Sequence, residues 1–135
     1  MAARFNNSII LQPDTVGLNA AVLSAERTSN TLSADGREQL TMNVNLSTWA
    51  DATTVSVAVD VSENGTNWFP MQSESTAAGI ATLSPLIWRQ AVSAAELWSI
   101  NTPINARLFR IRITSAGGTT DAASVTVRLS NLGNG

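Results

Sequence analysis

From Gln39 to Ser47 apolar and polar positions alternate without a break, with Leu40, Met42, Val44 and Leu46 on one side and Thr41, Asn43 and Asn45 on the other. A period of two is that of a strand with one face in a core. The same period returns from Thr53 to Ser62, where Val55, Val57, Val59 and Val61 face in and Thr54, Ser56, Ala58 and Asp60 face out. Ser47 to Ala52, with Trp49 inside it, then reads as a short hairpin connection. The hairpin so predicted has an outward face of Thr41, Asn43, Asn45, Thr54, Ser56 and Ala58, which carries no charge and suits cover by a second sheet or a partner. The stretch that follows, Ser62-Glu63-Asn64-Gly65-Thr66-Asn67-Trp68, centres on Asn-Gly, the preferred pair for a type I′ turn. A two-residue loop there sets Val61 opposite Trp68 and Val59 opposite Pro70, making Trp68 a core anchor on the valine face.

The last third repeats the pattern. Phe109, Ile111 and Ile113 alternate with Arg110 and Arg112, a Gly117-Gly118 turn follows, and Val125, Val127 and Leu129 alternate with Thr126 and Arg128. A second hairpin is expected, with Arg110, Arg112 and Arg128 forming a basic stripe on its outer face, either a solvated strand face paired with nearby acids or a contact for an acidic patch on a partner. Between the hairpins, Ala78 to Leu83 predicts a short strand, and Ser93-Ala94-Ala95-Glu96 has the spacing of a capping box that starts a helical turn. Pro85 and Pro103 confine their segments to edge strands or loops. The first thirty residues hold short apolar runs, Ile9 to Leu11 and Ala20 to Leu23, broken by Pro13 and Gly17. They predict either edge strands or an N-terminal arm that packs on a neighbour. At 135 residues the chain is expected to be one domain, residues 1–135, folded as an all-β antiparallel β-sandwich of jelly-roll or immunoglobulin-like topology.

Composition then removes most chemistry. With no cysteine, histidine, lysine or tyrosine, disulfides, imidazole acid–base work, thiol nucleophiles and Schiff bases are unavailable. Phosphate loops, dinucleotide fingerprints, nucleophile elbows and calcium loops are missing from the sequence. Asp60 with Glu63 is the nearest approach to a carboxylate pair, and Asp51 and Asp121 are isolated loop carboxylates that supply too few oxygens for calcium. No catalytic residue, cofactor or metal site is therefore expected, and the protein reads as a non-enzyme. A net charge of −2 argues against nucleic acid, and no apolar run is long enough to span a membrane. No leader pattern is visible in Met1 to Leu11, so synthesis in the cytoplasm is expected. Only 13% of residues are charged, while 15 Ser, 15 Thr and 12 Asn dominate the polar set. A surface that is polar yet nearly uncharged is easily desolvated, which suits extensive contact with protein. Eight arginines without one lysine fit the same use, although coding bias explains them equally well.

The alternating valines running into Ser62-Glu63-Asn64-Gly65-Thr66-Asn67-Trp68, followed by Ala106 to Ile113 and a glycine turn, resemble small β-sandwich virion proteins of tailed bacteriophages, most closely the capsid decoration or cement proteins. Those often carry Asp where Asn64 stands, a change that keeps the turn chemistry. The resemblance implies a structural protein on the outer capsid surface of a virion. It would bind the major capsid protein lattice as a dimer or trimer and stabilise the shell. A tail or fibre component is the near alternative. Discoidin-like carbohydrate-binding sandwiches share such turns, and for that reading Trp49, Trp88 and Trp98 are the rings available to stack on sugar.

Overall fold

The computed structural model describes residues 8–131. Its strands are β1 (Ile9–Leu11), β2 (Ala21–Val22), β3 (Arg27–Thr28), β4 (Leu32–Ser33), β5 (Gln39–Thr48), β6 (Thr54–Ser62), β7 (Phe69–Pro70), β8 (Gln72–Ala77), β9 (Ile80–Pro85), β10 (Ile87–Ala91), β11 (Glu96–Pro103), β12 (Leu108–Ala116) and β13 (Ala122–Ser130), with one short helix, α1 (Pro13–Val16). Pro13 opens the helix and Gly17, at φ 85°, closes it. No helix among the described residues is long and apolar enough to cross a membrane.

Two antiparallel sheets pack face to face. The first has the order β1-β13-β5-β11, with β2 also on β13; the second has β10-β6-β12-β3, with β4 also on β12 and β7 also on β6. The predicted inward residues close the core between them: Leu40, Met42, Val44 and Leu46 meet Val55, Val57, Val59, Phe109, Ile111 and Ile113, all essentially inaccessible. Each fully buried aliphatic side chain contributes about 1.5–3 kcal/mol, so these two alternating sets dominate the fold's stability.

The pairing decides the topology left open by the sequence. β1 pairs with β13, β3 and β4 with β12, β5 with β11, and β6 with β10, so the chain is one long ribbon doubled back on itself and rolled into two sheets. That is a jelly roll. In it the step from β6 to β10 stays within one sheet, whereas the connections from β4 to β5, β5 to β6, β10 to β11, β11 to β12 and β12 to β13 cross between layers. Both predicted hairpins are corrected on this point. β5 and β6 lie in opposite sheets, as do β12 and β13, and the segments read as hairpin loops are arches over the sandwich's end. An alternating pattern specifies which residues face in, but an arch and a hairpin leave the same pattern.

Two further expectations change, and the choice between edge strands and an arm is settled for the described residues. The Ser93 to Glu96 segment is a bend rather than a helical turn, running from β10 of one sheet into β11 of the other. The first thirty residues, from Ser8 onward, are built into the sandwich: Val16 and Leu18 are fully buried, Leu23 nearly so, and β1 zips onto β13. Of the N-terminal arm, only residues 1–7 lie outside the described residues. The predicted strand at Ala78 to Leu83 starts at Ile80, since Ala78 and Gly79 form the turn. Pro85 and Pro103 do end edge strands, β9 and β11.

Candidate functional site

The outer side of the first sheet is a grid set by strand register. Arg128, Thr41 and Asn101 form one row, Thr126, Asn43 and Ser99 the next, and Ser124, Asn45 and Leu97 the third. The polar side chains bond to one another along the rows: Thr41 Oγ1 donates to Asn101 Oδ1 at 2.7 Å, and the Ser99 hydroxyl donates to Asn43 Oδ1. Such bonding holds the hydroxyls and amides of these two rows in fixed positions, and Asn43, Asn45, Leu97, Ser99 and Thr126 line a shallow open depression on the face. Arg128 is the sole charge among these nine, and Leu97 stands 75% exposed beside them. Ile10, next to Arg128 on β1, adds a second exposed apolar residue. Sequence reasoning placed Thr41, Asn43 and Asn45 on an outward, uncharged face, and they are there, although Thr41 is itself buried beneath its neighbours. It did not place Leu97, Ser99, Asn101, Ser124 and Thr126 beside them, because their strands join β5 only through the sheet pairing.

Thr54, Ser56 and Ala58 are on the outer side of the second sheet, so the six residues assigned to one hairpin face are split between opposite sides of the molecule. Ala58 is itself buried. The arginine stripe divides likewise. Arg110 and Arg112 sit on β12, whereas Arg128 is on β13 in the other sheet, because the second hairpin is an arch. What Arg110 and Arg112 meet is an acid of their own chain. The Nε of each donates to Asp60 Oδ2 at 3.0 Å, and Asp60 is 5% exposed. Arg112 reaches Glu26 as well, at 3.3 Å. Burial works against the Arg112 charge, but hydrogen bonding and attraction from Asp60, then Glu26, outweigh it and raise its pKa. Asp60 is thus closed off beneath two guanidinium groups, and Glu63 lies exposed in the following loop.

Trp68 requires a correction. Val61 pairs with Phe69 and Asp60 with Pro70, one step from the expected register, and a one-step slip turns every side chain over. Trp68 is half-buried on the outer side, its ring 4.5 Å from the Arg110 guanidinium carbon, and is not part of the valine core. The cause is the turn. Gly65 has φ 76°, but Asn64 does not take the positive φ that a type I′ turn needs at both positions. Side chains shape the loop instead: Ser62 Oγ accepts from the Gly65 amide, and Asn64 Oδ1 accepts from the Thr66 and Asn67 amides, each at 2.9 Å. The other three tryptophans do not converge on a platform. Trp88 and Trp98 pack against the core, and Trp49, 39% exposed in the β5–β6 arch, donates its ring N–H to the Ala52 carbonyl.

Asp51 and Asp121, dismissed as separate loop acids, meet where the two arches touch. The fully buried Asp121 carboxylate accepts from the amides of Ala50 at 2.8 Å, Ala52 at 3.2 Å and Asp51 at 3.4 Å, while Asp51 accepts from the Thr119 amide and hydroxyl. Burial pushes the Asp121 carboxyl up, but the Ala50 amide, the Asp51 side chain and the Ala52 and Asp51 amides prevail and hold it below its ordinary value. This is a clamp between arches. No group of three or more potential metal ligands occurs among the described residues.

The remaining feature is β8–β9, a two-stranded hairpin that pairs with neither sheet and in which every strand residue is exposed.

No family model matches this chain, and no curated protein does. Among solved structures it is similar to the SPBc2 prophage-derived protein YomS, with a TM-score of 0.49 and 11% identity over 96% of this chain and 99% of that one.

Proposed function

We propose that the protein is a non-enzymatic structural component of a bacteriophage particle that binds the major capsid protein lattice and stabilises the shell. The observation that carries the reading is the outer face of the first sheet, nine side chains in three registered rows with one charge and an exposed leucine. A face of preorganised hydroxyl and amide groups costs little to desolvate when each group keeps a partner, and Leu97 adds apolar burial at its border. Such a face fits a large, nearly neutral protein surface. It offers neither the basic cluster that phosphate recognition needs nor several aromatic rings for sugar stacking. Jelly rolls serve in virion and lectin domains alike, so the face and not the fold chooses between them. Bridging adjacent capsid subunits through more than one contact would oppose loss of any one subunit.

The test is to add purified protein to capsid shells lacking it and follow co-sedimentation and heat release of the shell contents. Binding in a fixed ratio to the major capsid protein, lost on Asn43→Arg or Leu97→Glu, is the expected result. Shells that bind neither form, or that bind both equally, would overturn the assignment.

A further inference from the structure

The β8–β9 arm is out of keeping with the rest of the chain. It leaves the rolled ribbon at its apex, between β6 and β10, and closes with Ala78 and Gly79 at φ 53° and 77°, the two-residue type I′ geometry. A hairpin without a third strand or a packed face is marginal in water, yet this one presents Ile80 at 67% and Leu83 at 59% exposure. Its only charge is Glu74, directly across from Leu83, and Glu74 has no ion pair among the described residues. The chain also holds the complement of that pair. On β10, Arg89 is exposed and without an ion pair among the described residues, and two positions before it on the same side stands Ile87, 38% exposed. Cross-strand neighbours lie roughly 5 Å apart and residues two apart on a strand roughly 6.6 Å, so the acid–leucine pair, which runs across the arm's strands, can meet the arginine–isoleucine pair, which runs along β10, when the arm crosses that strand. β10 is an edge strand with one side unpaired, as are both strands of the arm.

We propose that two copies of this chain exchange β8–β9 arms, each arm crossing the outer side of the partner copy's β10 so that Glu74 meets Arg89 and Leu83 covers Ile87. A twofold arrangement makes every such contact twice. The 14-residue arm, Gln72 to Pro85, together with the receiving strand on the same copy, approaches the roughly 20–30 residues a side of a stable interface. The exchange concerns the isolated protein and holds whether or not a capsid is its target.

Sedimentation velocity of the full chain at micromolar concentration tests it. The wild type is expected to be a dimer. In a second form the arm is cut out, with Met71 joined to Leu86 through Asn-Gly; the Leu86 amide already donates to the Met71 carbonyl at 2.8 Å, as a two-residue turn requires, and this form is expected to be a monomer. Glu74→Arg sets like charges together at both contacts and is expected to weaken the dimer roughly a hundredfold, about tenfold per contact, and adding Arg89→Glu is expected to restore it. A monomeric wild type, a dimer that survives removal of the arm, or a double variant no tighter than Glu74→Arg alone would each overturn the proposal. If the shortened form fails to fold, the charge-exchange series decides alone, because both residues are on the surface. An arm that orders only when capsid protein is added would assign it to that partner and also overturn the exchange.

Discussion

Trp68 shows what one step of register does to a large ring. Buried among the valines it would be worth about 3–5 kcal/mol on truncation. Half-buried over Arg110 it contributes a cation–π contact and partial packing, so Trp68→Ala is expected to cost about 1–2 kcal/mol, measured by urea denaturation. A loss above about 3 kcal/mol would return the ring to the core. Asp121 has the opposite standing: its sequence context is a turn, and its carboxylate is the most enclosed in the described chain. Asp121→Asn keeps the shape but removes the charge that three amides address, and is expected to cost about 2–4 kcal/mol at neutral pH. Because the folded pKa is lowered, the charge stabilises the fold in full above the ordinary carboxylate range, near pH 4, and that share is lost as the pH falls through the lowered value. Thermal midpoints measured from pH 7 down to pH 2 are therefore expected to fall less steeply in the variant than in the wild type.

At the scale of elements, β1 and the β8–β9 arm make opposite predictions about removal. β1 covers the edge of β13, where Val127 and Leu129 are buried, and its loss would open that edge to water. Deleting residues 1–12 is expected to cost about 2–3 kcal/mol, lowering the melting temperature by roughly 10 °C. Cutting the arm back to Met71 and Leu86 removes twelve strand residues that bury nothing in their own sandwich, so the midpoint of the monomeric fold is expected to stay within about 3 °C. A collapse of the transition on arm removal would mean that the arm supports its own domain. The short helix α1 belongs with β1: Val16 fills the core, and the Val16 carbonyl accepts from the Asn30 amide at 2.9 Å.

For the whole molecule, low charge predicts how attachment responds to salt. Arg110 and Arg112 are already satisfied within the chain by Asp60 and Glu26, leaving still fewer free charges than the composition suggests. Attachment through the uncharged face would rest on apolar burial and neutral hydrogen bonds, with exposed ion pairs adding roughly 0–1 kcal/mol each. Affinity for the shell is expected to change less than about tenfold between 50 and 200 mM salt, against about a thousandfold for a protein held by six or more phosphate contacts. A titration across that range separates the two.

Which side of β5, β6, β12 and β13 faces the core was legible in the sequence, and so was the all-β class, because a period of two records burial along the strand and survives any strand order; β11 was not read as a strand. The predicted edge role of Pro85 and Pro103 followed from their missing amide in the same local way. Partnership was not legible. Whether β5 turns back on β6 or arches away from it depends on which distant strand satisfies its backbone, and here β11 and β13 do so from more than fifty residues along the chain. Everything that rests on partnership moved with it: the splitting of the uncharged face, the parting of Arg128 from Arg110 and Arg112, and the meeting of Asp51 with Asp121. Local chemistry was also misread where side chains compete with backbone, as at Ser62 and Asn64, whose hydrogen bonds reshape a loop that the dipeptide alone would make a tight turn. The composition did determine how few charges any surface could carry. Only the tertiary structure decided which surface carries none but Arg128, because the sheet pairing brings residues from β5, β11 and β13 into one plane.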